Sequence, residues 1–96
     1  MTYVLSGEAR NDLADIWDYV AIHNESAADK LIDSLTQRLR QLGDHPYIGR
    51  ARNDLRTGYR SITEGEYLIF YQLERPHVRV ARIVHGKRDL PKLLPH

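Results

Sequence analysis

Residues 78–89 read VRVARIVHGKRD, and the rest of the chain is placed by reading outward from them. In an extended chain Val78, Val80, Arg82 and Val84 share one face, while Arg79, Ala81, Ile83 and His85 share the other. Val and Ile dominate and Gly86 ends the run, as strand chemistry prefers. Apolar residues on both faces predict a strand that is covered on both sides or central in its sheet. Arg82 is the exception. A buried guanidinium is costly unless a carboxylate meets it, so its position predicts a partner acid or an opening nearby. His85, Lys87 and Arg88 follow closely. The strand therefore anchors a core and delivers a basic group of residues to the surface.

Two further strand patterns precede it, at residues 55–62 and 67–73. In the latter, Tyr67, Ile69, Tyr71 and Leu73 face one way and Leu68 and Phe70 the other. The links Thr63-Glu64-Gly65-Glu66 and Glu74-Arg75-Pro76 are too short for anything but an antiparallel meander. Residues 47–54 read as a loop.

Before that loop the apolar period changes from strand to helix. Ser6 fits an N-cap, with Glu8 in the first turn, and Ala9, Leu13, Ile16, Trp17 and Val20 recur at helical spacing to about Ile22. Asp12, Asp15 and Asp18 are expected on the solvent side, and Trp17 is expected to pack on the second helix or the sheet. Ser26-Ala27-Ala28-Asp29 reads as a capping box that opens the second helix. Its apolar face is Ala28, Leu31, Ile32, Leu35, Leu39 and Leu42, and Gly43 with Pro46 beyond it reads as the stop. Residues 3–5 form a short edge strand. The fold class is α+β: an N-terminal strand, an antiparallel helical hairpin, then a three-stranded antiparallel meander, in a single domain over residues 1–96.

Composition sets bounds on function. The 96 residues are 42% hydrophobic and 28% charged, which is ordinary for a globular domain and argues against disorder. With no Cys, a disulfide scaffold or a Cys-based zinc site is excluded, and a cytoplasmic location is expected. The segment MTYVLSGEAR has neither a basic leader nor a long apolar run, so no signal peptide or membrane span is expected. Net charge is +1, but it is unevenly spread. Residues 1–45 carry four Lys or Arg against eight acids, a net −4; residues 46–96 carry ten against five, a net +5. The C-terminal half should attract something acidic, or be compensated by the other half.

Catalytic motifs are missing. No two of His23, His45, His77, His85 and His96 have the i, i+4 spacing of a helical zinc site, so no metal is expected. Ser6, Ser26, Ser34 and Ser61 lack a nucleophile-elbow context, and no Gly-rich phosphate loop is present, so neither a catalytic residue nor a cofactor is expected. What remains is a basic set rich in Arg: Arg50, Arg52, Arg56, Arg60, Arg79, Arg82, Lys87 and Arg88. Arg suits bidentate recognition of carboxylate or phosphate.

Five segments, in this order, cover nearly the whole chain: ARNDLADIWDYV (residues 9–20), HPYIGR (45–50), DLRTGYRS (54–61), YLIFYQL (67–73) and RIVHGKRDLPKLL (82–94). Together they resemble the RelE/ParE superfamily of toxin–antitoxin toxins, and its ParE branch in particular. The resemblance implies a toxin, of the kind used in plasmid stabilisation, that inhibits DNA gyrase and so blocks replication. It implies a ParD-like antitoxin with an acidic C-terminal segment, and a toxin–antitoxin hetero-oligomer. The alternative it implies is a ribosome-dependent mRNA endonuclease of the RelE type. Aligned on RelE-type toxins, Leu68 stands where the middle-strand catalytic Arg is expected, and Leu93 and Leu94 stand where a Tyr is common. The preceding Lys pair is not reproduced; Arg60 is the nearest cation, and Arg88 alone matches a functional Arg. RNA cleavage needs a group to activate the 2′-OH, one for the leaving oxygen and cations for the phosphorane. That set is incomplete, although His85 could supply acid–base chemistry.

On this reading Arg56, Arg60 and Arg82 are the expected antitoxin-binding residues, because a folding acidic segment could lie across the strands that carry them. His85, Lys87, Arg88 and Leu94, at the strand's exposed exit, are the expected toxicity and target-binding residues. For Arg82 a structural pairing with Asp12 or Asp15 is the competing expectation.

Overall fold

The computed structural model describes residues 1–87. In chain order they form β1 (Thr2–Leu5), α1 (Gly7–Ala21), α2 (Glu25–Asp44), β2 (Arg50–Ala51), β3 (Arg60–Glu64), β4 (Tyr67–Glu74) and β5 (His77–His85). One sheet holds the strands in the order β1-β5-β4-β3-β2. The meander β3-β4-β5 is antiparallel as expected, and β1 is an edge strand that pairs parallel to β5. Among the described residues no helix is long and apolar enough to cross a membrane.

The helical hairpin covers one face of the sheet. Ile16, Leu35, Leu39 and Leu42 from the helices meet Ile69, Tyr71, Val78, Val80 and Ile83 from the strands. On the other face Tyr59, Phe70, Ala81 and Val84 form a second buried group, with Leu55 and Leu68 against it. The central strands are therefore apolar on both sides, as read from residues 78–85: the helices cover one side, and Leu55 and Tyr59 pack on the other, which no helix covers among the described residues.

Strict alternation along β5 does not hold. Phe70 pairs with Arg82 but Tyr71 pairs with Val80, so Ala81 is an extra residue opposite one step of β4. Such a bulge shifts the phase by one. Ile83 consequently joins Val78 and Val80 in the helix-side core, while Val84 joins Ala81 on the opposite face.

Local signals placed α1 correctly. Ser6 is extended and its Oγ accepts from the N–H of Ala9 at 2.9 Å. The same hydroxyl donates to the carbonyl of Ala81 at 2.7 Å, tying the helix start to the bulge. Four other readings are corrected. The second helix starts at Glu25 and is capped by Asn24, whose Oδ1 accepts from the N–H of Ala27 at 3.0 Å; Ser26 lies inside it. Gly43 does not stop that helix but lies within it, buried, where a Cβ would come within 2.8 Å of the carbonyl oxygen of Met1. The strand expected at 55–62 is confined to β3; residues before it turn through Gly58 at φ +86° and place Leu55 and Tyr59 on the open face of the sheet. The loop at 47–54 contains β2, which pairs with Ser61 and Arg60.

Trp17 does contact the second helix, but it is half-buried and outside the main core. Its Nε1 donates to Asp29 Oδ1 at 2.8 Å. Full burial of a Trp would make truncation cost about 3–5 kcal/mol. Here Trp17→Ala is expected to cost about 2 kcal/mol, or roughly 10 °C in Tm. A loss above about 4 kcal/mol in denaturant melts would place Trp17 among the core residues after all.

Candidate functional site

The pairing of β1 with β5 ends at Val80, where the chain turns through Ser6 into α1. Beyond that point the outer edge of β5 needs another partner, and Asp12 supplies it. Its Oδ2 accepts from the backbone N–H of Ile83 at 2.8 Å and from Arg82 Nε at 2.8 Å; its Oδ1 accepts from Arg82 Nη2 at 2.9 Å. Glu8, one turn earlier, lies 3.6 Å from Arg82 Nη1. Asp12 and Arg82 have 12% and 13% of their side chains exposed, so Asp12 is not on the solvent side as expected. The carboxylate's hydrogen bonds hold the guanidinium pKa above its usual value, against the effect of burial. One aspartate thus satisfies an out-of-place arginine and an unpaired strand edge.

At the far end of β5, His85 stacks edge-on to Tyr67 with ring centroids 5.6 Å apart. The N–H of Lys87 donates to His85 Nδ1 at 3.3 Å, and Nε2 lies 3.4 Å from Glu66 Oε2. Both ring nitrogens are thereby engaged. These residues border an open groove of about 890 Å³ whose apolar floor includes Ile16, Val20, Leu31 and Ile83. Asp15, Tyr19 and Glu66 line it too, so its rim is mixed in charge. Burial, followed by the nearby Glu66 and Tyr19, raises the Tyr67 hydroxyl above its ordinary pKa of 10.0.

Arg60 sits elsewhere. Its Nε donates to the carbonyl of Gly49 at 3.0 Å and its Nη2 to that of Tyr47 at 3.3 Å, while its guanidinium carbon lies 5.4 Å from the Tyr47 ring centroid. Tyr71, fully buried, reaches the same loop from beneath: its hydroxyl accepts from the N–H of Gly49 and donates to the carbonyl of Pro46, both at 2.9 Å.

On the open face, Arg52 is buried over Phe70, its guanidinium carbon 5.6 Å from the ring centroid. Its Nε and Nη2 grip the two oxygens of Asp54 at 3.1 and 3.2 Å, and its Nη1 donates to Ser61 Oγ at 3.1 Å. The hydrogen bond from Arg52 holds the Asp54 carboxyl below its ordinary 3.8, with Arg50 adding to the effect. Arg56 is half-buried in the turn that follows, its N–H on the carbonyl of Arg52. Leu68, near the start of β4 and paired with Val84, packs against the buried group on this face.

The expected residues therefore fall in separate places rather than in one cleft. His85 and Lys87 share the groove mouth, Arg82 is joined to α1, Arg60 to the 45–50 loop, and Arg56 to the 52–59 turn. Arg88 and Leu94 lie outside the described residues. Sequence reasoning gave no site role to Tyr71, Arg52, Tyr47 or Ile48: Arg52 stood only in the basic set, Tyr71 only on a strand face, and Tyr47 and Ile48 only in the HPYIGR pattern.

The family described as "ParE toxin of type II toxin-antitoxin system, parDE" matches residues 3–90. The chain belongs to that family. It is 34% identical over 85 residues to Toxin ParE1 of Caulobacter vibrioides, covering 86% of each chain. To Toxin ParE1 of Mycobacterium tuberculosis (strain ATCC 25618 / H37Rv) it is 29% identical over 94 residues, covering 96% of each. Its fold superposes with a TM-score of 0.78 on a structure titled "Chromosomal ParDE TA system from P. aeruginosa", at 20% identity over 91% of this chain and 97% of that one. The chain is thus a type II toxin of the ParE family, the branch of the RelE/ParE superfamily that its sequence resembles.

Proposed function

We propose that this toxin inhibits DNA gyrase, and so blocks replication in the cytoplasm, by binding rather than by catalysis, until a ParD-like antitoxin neutralises it. The supporting observation is the position of Leu68. A RelE-type nuclease would place its middle-strand Arg there; here Leu68 and Leu55 pack against the buried group of Tyr59, Phe70, Ala81 and Val84 on the face away from the helices. The cation buried on this face, Arg52, is committed to Asp54 and Ser61, and Leu68 itself offers neither a proton acceptor nor a charge for a cleaving phosphate. His85 is poorly suited to act as the base, since both of its nitrogens have neighbours within 3.4 Å.

His85, Lys87, Arg88 and Leu94 are the proposed target-binding residues; the first two stand at the exit of β5, and Arg88 and Leu94 follow them in the sequence. Arg56 is the proposed direct contact for the antitoxin's acidic segment. Arg60 and Arg82 serve antitoxin binding mainly by holding the loop and the strand edge that they bond. The purified protein, mixed with gyrase and plasmid, is expected to accumulate cleaved DNA or abolish supercoiling. Messenger RNA cut at ribosomal A sites, with gyrase unaffected, would transfer the protein to the nuclease branch.

A further inference from the structure

Tyr47 and Ile48 are adjacent, large and apolar, yet 61% and 42% exposed. Exposed apolar side chains on a mobile tip would need no explanation. This loop is far from mobile in construction. Tyr71 brackets it with two hydrogen bonds, Arg60 adds two more, and the N–H of Ile48 donates to the carbonyl of His45 at 3.2 Å. A fully buried core tyrosine devotes its hydroxyl to holding this loop, and the guanidinium over Tyr47 fixes the ring's inner side. A fold that only needed to connect α2 to β2 would not require so many restraints on two solvent-facing side chains.

We infer that residues 45–49 form a preorganised recognition loop on which Tyr47 and Ile48 anchor the antitoxin, and that Arg60 is its positioning residue. The inference rests on the antitoxin reading above and adds a second, apolar contact to the acidic one. Rigid aromatic anchors next to Arg are typical binding hot spots, since little side-chain freedom remains to be lost on association. That matters most for a partner segment that must itself order on binding. The matching chemistry is an apolar side chain flanked by a carboxylate: the apolar part covers Tyr47 and Ile48, and the carboxylate faces the exposed Arg50. Asp44, at the end of α2, is the one acid in residues 44–50. A nucleic acid fits less well. One face of the Tyr47 ring already carries Arg60, Ile48 gives no stacking surface, and two Arg60 donors are bonded to carbonyls.

The loop is also remote from the groove mouth. Tyr67 pairs with His85 on β4, whereas Tyr71, which holds the loop, is four residues further along, roughly 13 Å. Antitoxin bound at the loop would leave the proposed target-binding exit a separate surface.

The test uses the whole toxin and, as the probe, the purified protein encoded by the reading frame beside its gene. The double variant Tyr47→Ala, Ile48→Ala is expected to bind it about 10- to 100-fold more weakly than wild type, with Tm unchanged. It should still arrest growth, but co-expression of the antitoxin should no longer relieve the arrest fully. Tyr47→Phe keeps the ring and should bind within about threefold of wild type. Arg60→Lys should weaken binding about tenfold, because an ammonium cannot bridge two carbonyls and stack at once. Unchanged affinity of the double variant would overturn the inference while leaving the toxin–antitoxin reading intact. Lost growth arrest with unchanged affinity would assign the loop to the target instead, and loss of DNA binding alone would assign it to nucleic acid. Failure of wild type to bind the probe would overturn the antitoxin reading itself.

Discussion

Asp12→Ala is expected to lower the unfolding free energy by about 3–5 kcal/mol, a large part of what holds a domain of this size together. Asp12 accepts three hydrogen bonds at 2.8–2.9 Å, two from Arg82 and one from the N–H of Ile83. Truncation leaves a mostly buried cation and a strand-edge donor without that acceptor. Glu8 is a poor substitute, being 57% exposed and 3.6 Å away. Asp12→Asn retains one acceptor and should fall between wild type and Asp12→Ala. Combining Asp12→Ala with Arg82→Met should recover part of the loss, since replacing both charges removes the desolvated cation as well. Urea melts of the four proteins measure this. A loss below about 1 kcal/mol for Asp12→Ala would mean that water screens the pair as at an exposed site. Growth arrest by Arg82→Ala should then be read only below its own melting temperature, because its first effect is on the fold.

The need for that pair was legible in the sequence; its location was not. An Arg within VRVARIVH demands a carboxylate, and Asp12 and Asp15 are both on the right helix. The bulge at Ala81 sets Ile83 rather than Arg82 in phase with the core, and Asp12 is the acid that meets both Arg82 and the N–H of Ile83. A period of two carries no mark of such a slip; it shows only against β4. The helix boundaries failed for a different reason. Asn24 and Ser26 are both good N-caps, and the pattern Ser26-x-x-Asp29 resembles a capping box. Asn24 is the residue that is extended, at φ −164° and ψ 101°, and Asp29 is bonded to Trp17 instead. Gly43 has the composition signal of a stop, but what it provides is room for the backbone of Met1. In each case a residue type suited to two roles was assigned the local one, and a tertiary contact decided otherwise.

The division of charge along the chain is explained in part by such contacts. Arg82 returns from the basic half to Asp12 and Glu8 in the acidic half, and Arg38 reaches the other way, 3.7 Å from Glu64 and onto the carbonyl of Thr63. Arg52 is neutralised locally by Asp54, and Arg79 lies 3.8 Å from Glu74. Arg50, on β2, and Lys87, just beyond β5, remain exposed. The acidic antitoxin segment proposed above would therefore be guided by a few dispersed cations, with apolar anchors setting its register. This gives the 45–49 loop its importance in the toxin reading.

Gly49→Ala should disrupt that loop, with a loss of about 3 kcal/mol. The prediction does not depend on backbone freedom, since Gly49 is not in the left-handed region. It depends on space. A Cβ would lie 2.4 Å from Tyr71 Oη, 2.7 Å from its Cε1 and 2.9 Å from the carbonyl oxygen of Ser61. Tyr71 is fully buried and Ser61 is paired with both Arg50 and Phe70, so neither neighbour is a flexible side-chain end. The chain must move instead, which breaks the Gly49–Tyr71 hydrogen bond and shifts the carbonyls that Arg60 holds. Gly7→Ala is the control, because nothing lies within 4 Å of a Cβ there, and it should melt at or slightly above wild type. Adding Tyr71→Phe to Gly49→Ala removes the shortest contact but not those to Cε1 and Ser61, so rescue should be partial. Thermal melts of the three variants, with antitoxin affinity measured alongside, separate the alternatives. Full rescue would assign the whole effect to the hydroxyl, and an unchanged Tm for Gly49→Ala would mean that the loop yields without cost and is not the rigid platform described.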